Sequence, residues 1–292
     1  MFHRRKILLA LLDACGGELS NTDMEKLLFC YCTETGSKDY NFFPYRFGCF
    51  SFLSYQDKRV LASQGYLHTG ERFRLKRKAN VSFLPVEESD RIREFAERMK
   101  QLRGKKLVRH VYLTYPYYAT RSEIAHTVLS PKEQEVVDAQ GNDKSDVTLF
   151  SVGYEGLTID AYINKLIRNN VAMVVDVRRN PISMKYGFSK TRFSSYLQNA
   201  GIKYEHIPQL GIESRLRKKL ETRKDYEVLF RNYANKALPY REQELARVRD
   251  LLGEHRRVAL TCFESDHTSC HRHKITERLE HSKGWGIPIK HI

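Results

Sequence analysis

From Thr148 to Ile292, short apolar runs alternate with longer stretches in which apolar residues recur every three or four positions. The run Ala172-Met-Val-Val-Asp-Val177 is apolar at consecutive positions apart from Asp176. That is the mark of a strand covered on both faces, as in parallel sheets. Strand patterns at 148–152, 172–177, 202–207, 257–262 and 287–292 are interleaved with helical patterns at 159–168, 190–200, 225–236, 240–253 and 271–281. Such alternation predicts an α/β domain built on a parallel sheet. Ligands of these sheets bind outside the carboxyl ends of the strands, so the polar residues after each strand are the candidates for function.

Tyr154 and Glu155 follow the first strand, and Asp176 and Arg178 close the second. His206 closes the third, and Lys190 opens the helix before it. The fourth runs into Cys262-Phe-Glu264-x5-Cys270-His271-Arg272. Asp176, Glu264 and Glu155 are the carboxylates that could activate water or stabilise a developing cation. Cys270 is predicted at the start of a helix, where free backbone N–H groups attract anions and depress a thiol pKa. It is therefore also a candidate catalytic group, although no glycines follow it to cradle an anion. Tyr154, Arg178, Lys190, His206, His271 and Arg272 are candidates for holding an anion or nucleic acid, Arg272 through its bidentate fork. Cys262, Glu264, His267, Cys270 and His271 are ligand types that suit zinc, but their spacing matches no standard site. Neither metal nor cofactor is expected. The purely structural alternative has Cys262, Cys270 and His271 packed in the core and Arg272 paired with Asp176 across the sheet.

The first half reads differently. Helical spacing at 4–15, caps at Ser20 to Asp23 before a helix from Met24 to about Cys32, and a third helix from Phe52 to Gln64 precede two short strands around Gly70. Between the second and third helices, Phe42 to Ser51 is an aromatic-rich connector. Three helices followed by a hairpin outline a winged helix over residues 1–80, with Arg72, Arg74, Lys76, Arg77 and Lys78 charging the wing. Residues 81–147 form a connecting region, with a charged helix at 88–103 and a strand at 107–114. In that region Tyr115-Pro-Tyr-Tyr118 and Arg121 offer either stacking faces for bases or a packed aromatic cluster. The turn-rich stretch 138–146 leads into the α/β domain at 148–292.

The net charge is +15. Residues 1–147 carry 24 Lys and Arg against 19 Asp and Glu, and residues 148–292 carry 26 against 16, so both halves are basic. A polyanionic partner follows, nucleic acid first and DNA in particular. No apolar run approaches the roughly 18 residues needed to cross a bilayer, and Asp13 interrupts the one signal-like stretch. The expected location is the cytoplasm, with no membrane partner. The six cysteines form no regular pairs and are expected as reduced, buried thiols, Cys30 and Cys32 included.

Two resemblances carry these readings further. Lys26-Leu-Leu-Phe29 and Phe43-Pro-Tyr-Arg-Phe-Gly48-x-Phe50-Ser51 resemble the small helical module that precedes enzyme domains in bacterial defence and toxin–antitoxin proteins. That likeness implies a winged-helix-like fold and contact with DNA. The second half is similar to the family called domain of unknown function 488. The likeness rests on Gly153-Tyr-Glu-Gly156, Val175-Asp-Val-Arg178-x-x-Pro181-x-Ser183, Phe188-x-Lys190, Tyr204-x-His206-x-Pro208-x-Leu210-Gly211, and the Cys262 to Arg272 segment. Where many relatives have a histidine, this chain has Tyr154-Glu155. The resemblance implies an α/β fold with a shared polar site. The expected function is a nucleic-acid-processing enzyme, a DNA glycosylase-like hydrolase of modified or damaged bases in bacterial defence or repair. A nuclease, or a non-enzymatic sensor of modified nucleic acid, is the alternative.

Overall fold

A computed structural model of the chain describes residues 1–76, 84–141, 145–217 and 220–292. The chain divides into two compact units, Met1–Gly141 and Asn142–Ile292. No helix among the described residues is long and apolar enough to cross a membrane.

The first unit contains α1 (His3–Ala14), β1 (Glu18–Leu19), α2 (Asn21–Thr35), β2 (Phe43–Tyr45), β3 (Gly48–Phe50), α3 (Phe52–Ser63), β4 (Phe73–Arg74), α4 (Val86–Arg98), α5 (Lys105–Thr114), α6 (Ala125–Val128) and α7 (Pro131–Asp138). Ser20 caps α2 by accepting from the Asp23 amide at 3.0 Å, and Ser51 caps α3 through the Ser54 amide. β4 pairs with β1, and Leu67 bridges Leu75, so the segment around Gly70 folds back as expected. Of its basic residues, Arg77 and Lys78 lie outside the described residues.

Two expectations for this half are corrected. Residues 107–114 are helical, not a strand. Leu107, Val108, Val111 and Tyr112 are buried, a helical spacing that outweighs the β preference of the two valines. The aromatic connector is an antiparallel hairpin, β2 against β3, turning through Arg46 and Phe47. Tyr115 and Tyr118 pack edge-on against Phe29, at 5.0 and 4.5 Å between ring centres.

The second unit contains β5 (Thr148–Gly153), α8 (Ile159–Arg168), β6 (Met173–Asp176), α9 (Lys190–Asn199), β7 (Lys203–His206), α10 (Arg223–Asn232), α11 (Glu242–His255), β8 (Arg257–Cys262), α12 (Arg272–Glu280) and β9 (Ile289–His291). The sheet is parallel throughout, in the order β7-β6-β8-β5-β9. One face carries Leu149, Met173, Val175, Val258 and Leu260, which pack against Leu245, Val248 and Leu252 of α11 and Ile275 and Leu279 of α12. Alternate residues face the other side, where Tyr162 of α8 donates to Thr261 at 2.8 Å. The register sets Gly153 beside Cys262, and Asp176 beside both Thr261 and His206. Four strands therefore end level, and their following loops share one rim.

Candidate functional site

Two glycines let these loops close on one another. A Cβ on Gly153 would lie 1.8 Å from the Glu264 carbonyl oxygen, so only glycine admits the loop after β8 at the end of β5. The amides of Tyr154 and Glu155 donate to the Phe263 carbonyl at 3.1 and 2.8 Å. The Ser265 amide and hydroxyl donate to the Glu155 carboxylate at 3.0 and 3.1 Å. Glu155 thus clamps the loop. A Cβ on Gly211 would lie 2.2 Å from the Arg179 nitrogen, which brings the loops after β6 and β7 into contact in the same way.

Asp176 is fully buried and committed to neighbours. Arg178 grips it with both ends of its fork, Nε to Oδ1 at 2.8 Å and Nη2 to Oδ2 at 2.6 Å. The Tyr204 hydroxyl donates to Oδ2 at 2.9 Å. Arg178 also donates to the Tyr154 hydroxyl at 2.8 Å and the Phe188 carbonyl at 2.9 Å, and Tyr154 stacks on Phe188 at 4.2 Å. Burial opposes the charge on Arg178, but Asp176 more than offsets it, and the guanidinium is held charged more firmly than usual. His206 Nε2 donates to the Arg178 carbonyl at 2.8 Å.

Around β8, Cys262 donates its thiol proton to Glu264 Oε2 at 3.3 Å. Its sulfur lies 3.8 Å from His271 Nδ1, and that of Cys270 lies 3.7 Å from the same nitrogen. Cys270 does not behave as its place in the sequence suggests. α12 begins at Arg272, Cys270 is wholly buried, and desolvation pushes its thiol pKa well above the ordinary value, with Cys262 and Glu264 adding to the rise. A thiolate nucleophile at Cys270 is therefore not supported. Arg272 is also fully buried; it donates to the Ser151 hydroxyl at 2.8 Å and the Ser265 carbonyl at 3.3 Å, and the partner of Asp176 is Arg178 instead.

The rim opens into a cleft of about 360 Å³, lined among others by Tyr154, Arg178, Arg179, Cys262, Phe263 and Glu264. Asp176 lies directly behind Arg178, and Cys270 and His271 lie behind Cys262. Glu155, Lys190, His206 and Arg272 are not among the described residues lining the cleft. Lys190 is exposed at the first turn of α9. Sequence reasoning missed Arg179, Phe263, Ile182 and Met184. The last two line the cleft while 85% and fully exposed, and Phe263 is 43% exposed. The available signal was apolar side chains in a loop that has no period to bury them. A neighbouring cavity of about 550 Å³ shares Arg179 and Ile212 and is lined further by Leu216, Val228 and Tyr233.

The second unit is thus a parallel α/β domain with a basic, aromatic-edged cleft at the carboxyl ends of its strands. Residues 158–279 match the family described as domain of unknown function DUF488, and the matched stretch holds every cleft residue named here except Tyr154. No curated protein and no solved structure matches the chain.

Proposed function

We propose that the protein is a nucleic-acid-processing hydrolase of the N-glycosidic class, with DNA as substrate and Glu264 as the working carboxylate. The observation that carries this reading is the cleft's composition. Glu264 is the one acidic residue among its described lining residues, beside the fixed guanidinium of Arg178 and the rings of Tyr154 and Phe263. Breaking an N-glycosidic bond needs one placed carboxylate, a frame for the phosphate and a flat apolar surface for an extruded base. Metal-dependent phosphodiester cleavage favours several grouped acids, and Asp176 is committed to Arg178 and Tyr204. The first unit, read as winged-helix-like from its helices and the Gly70 fold-back, would hold the duplex. A role in bacterial defence or repair accords with this assignment.

The test is incubation of the full chain with DNA carrying modified bases, with released base and strand breaks measured separately. Release of free base is expected, and Glu264→Gln should lower it about a hundredfold or more while binding is retained. Strand breaks without base release would favour a nuclease. Tight binding without either product, unchanged in Glu264→Gln, would favour a sensor.

A further inference from the structure

We propose that Cys262, Cys270 and His271 form a binding site for a zinc-like, borderline-soft divalent metal ion beneath the cleft. The site adjoins Glu264, the carboxylate of the proposed hydrolysis, but metal binding itself would hold whether or not the cleft turns over nucleic acid.

One ligand atom from each residue lies within 4.8 Å of the others, and the two sulfur-to-nitrogen distances are 3.8 and 3.7 Å. Tetrahedral zinc, with Zn–S near 2.3 Å and Zn–N near 2.05 Å, sets sulfur and nitrogen about 3.5 Å apart. The two sulfur–nitrogen pairs need to close by only a few tenths of an ångström to meet that geometry. Two thiolates with one imidazole are a donor set that suits zinc.

The orientation of His271 is a separate observation. Its Nε2 lies 3.2 Å from the Val177 carbonyl oxygen. A carbonyl only accepts, so Nε2 carries the proton, and in the neutral ring Nδ1 presents its lone pair toward both sulfurs. A backbone carbonyl fixing the far nitrogen of a metal-bound histidine is the usual supporting arrangement. Val177 follows β6, Cys262 ends β8, and Cys270 and His271 form the turn that enters α12, so one ligand stands at a strand end and two at the entry to a helix. The Tyr233 ring meets His271 edge-on at 5.7 Å and closes the site from one side.

The fourth position is set by Cys262 and Glu264, both of which line the cleft. Three protein ligands leave the fourth position to water or to Glu264, whereas a purely structural site is closed by four protein ligands. Glu264 Oε2, beside the Cys262 sulfur, is placed either to complete the coordination or to accept a hydrogen bond from a metal-bound water.

The experiment uses the full chain, stripped of metal under reducing conditions and titrated with cobalt(II). Expected are thiolate-to-cobalt charge-transfer absorption and tetrahedral d–d bands that saturate at one equivalent per chain and vanish when zinc is added. Cys262→Ser and His271→Gln should weaken binding by roughly tenfold or more. Cys49→Ser, in the first unit, should leave it unchanged. Because a core variant can fail to fold, the wild-type protein is also alkylated in mild denaturant with and without zinc, and the modified cysteines are mapped by mass spectrometry. Zinc-dependent protection of Cys262 and Cys270 supports the site. Absence of the cobalt bands, or protection confined to Cys30 and Cys32, overturns it.

Discussion

Asp176 spends its two carboxylate oxygens on Arg178 and Tyr204, whereas Glu264 lines the cleft. The two acids follow neighbouring strands yet answer differently to the same change. Asp176→Asn leaves a buried guanidinium without its counter-charge and should cost about 3–5 kcal/mol, read as a lower urea midpoint at unchanged slope. Glu264→Gln should move that midpoint by far less, because its side chain is only half-buried and lines the cleft. Residue types at the strand ends were legible in the sequence, and Tyr154, Arg178 and Glu264 do meet at one cleft. Pairings were not. Arg178 reaches Asp176 because residues two apart on an extended chain share a face, and that short reach forestalls the longer pairing with Arg272. Burial was equally hidden. Cys270 precedes a helix as expected, but the core closes over it and reverses the expected direction of its pKa.

The loops are coupled through the backbone at Gly153. Any side chain there meets the carbonyl of Glu264, which belongs to the chain itself and cannot swing aside. Gly153→Ala should therefore displace the Phe263–Ser265 loop, destabilise the second unit by about 1–3 kcal/mol, and reduce turnover by more than the lost stability explains. Thermal unfolding measured beside activity on the folded fraction separates the two effects. The parallel strands were readable because they are covered on both faces and stay apolar at consecutive positions. The β2–β3 hairpin was not, since three-residue strands carry too few positions to show a period. The helix at 105–114 was misread because Val108, Val111 and Tyr112, residues favoured in strands, outweighed its four-residue spacing over a short window.

Across the whole chain the +15 charge is carried by both halves, more strongly after residue 147. If the proposed partner is nucleic acid, its phosphates displace counterions, and affinity should fall roughly tenfold or more between about 50 and 200 mM salt. A binding curve flat in salt would remove the charge argument. Composition made that polarity plain but could not say where the cations converge. The sheet order decides that, and it has a kinetic side as well. β8 sits at the centre between β5 and β6, yet it is the next-to-last strand along the chain, and it pairs with β5 across 109 residues, as Ser151 with Leu260 and Val152 with Thr261. Until residues 257–262 leave the ribosome, β5 and β6 have no strand between them to join, so the sheet completes late and slowly, through contacts distant in sequence.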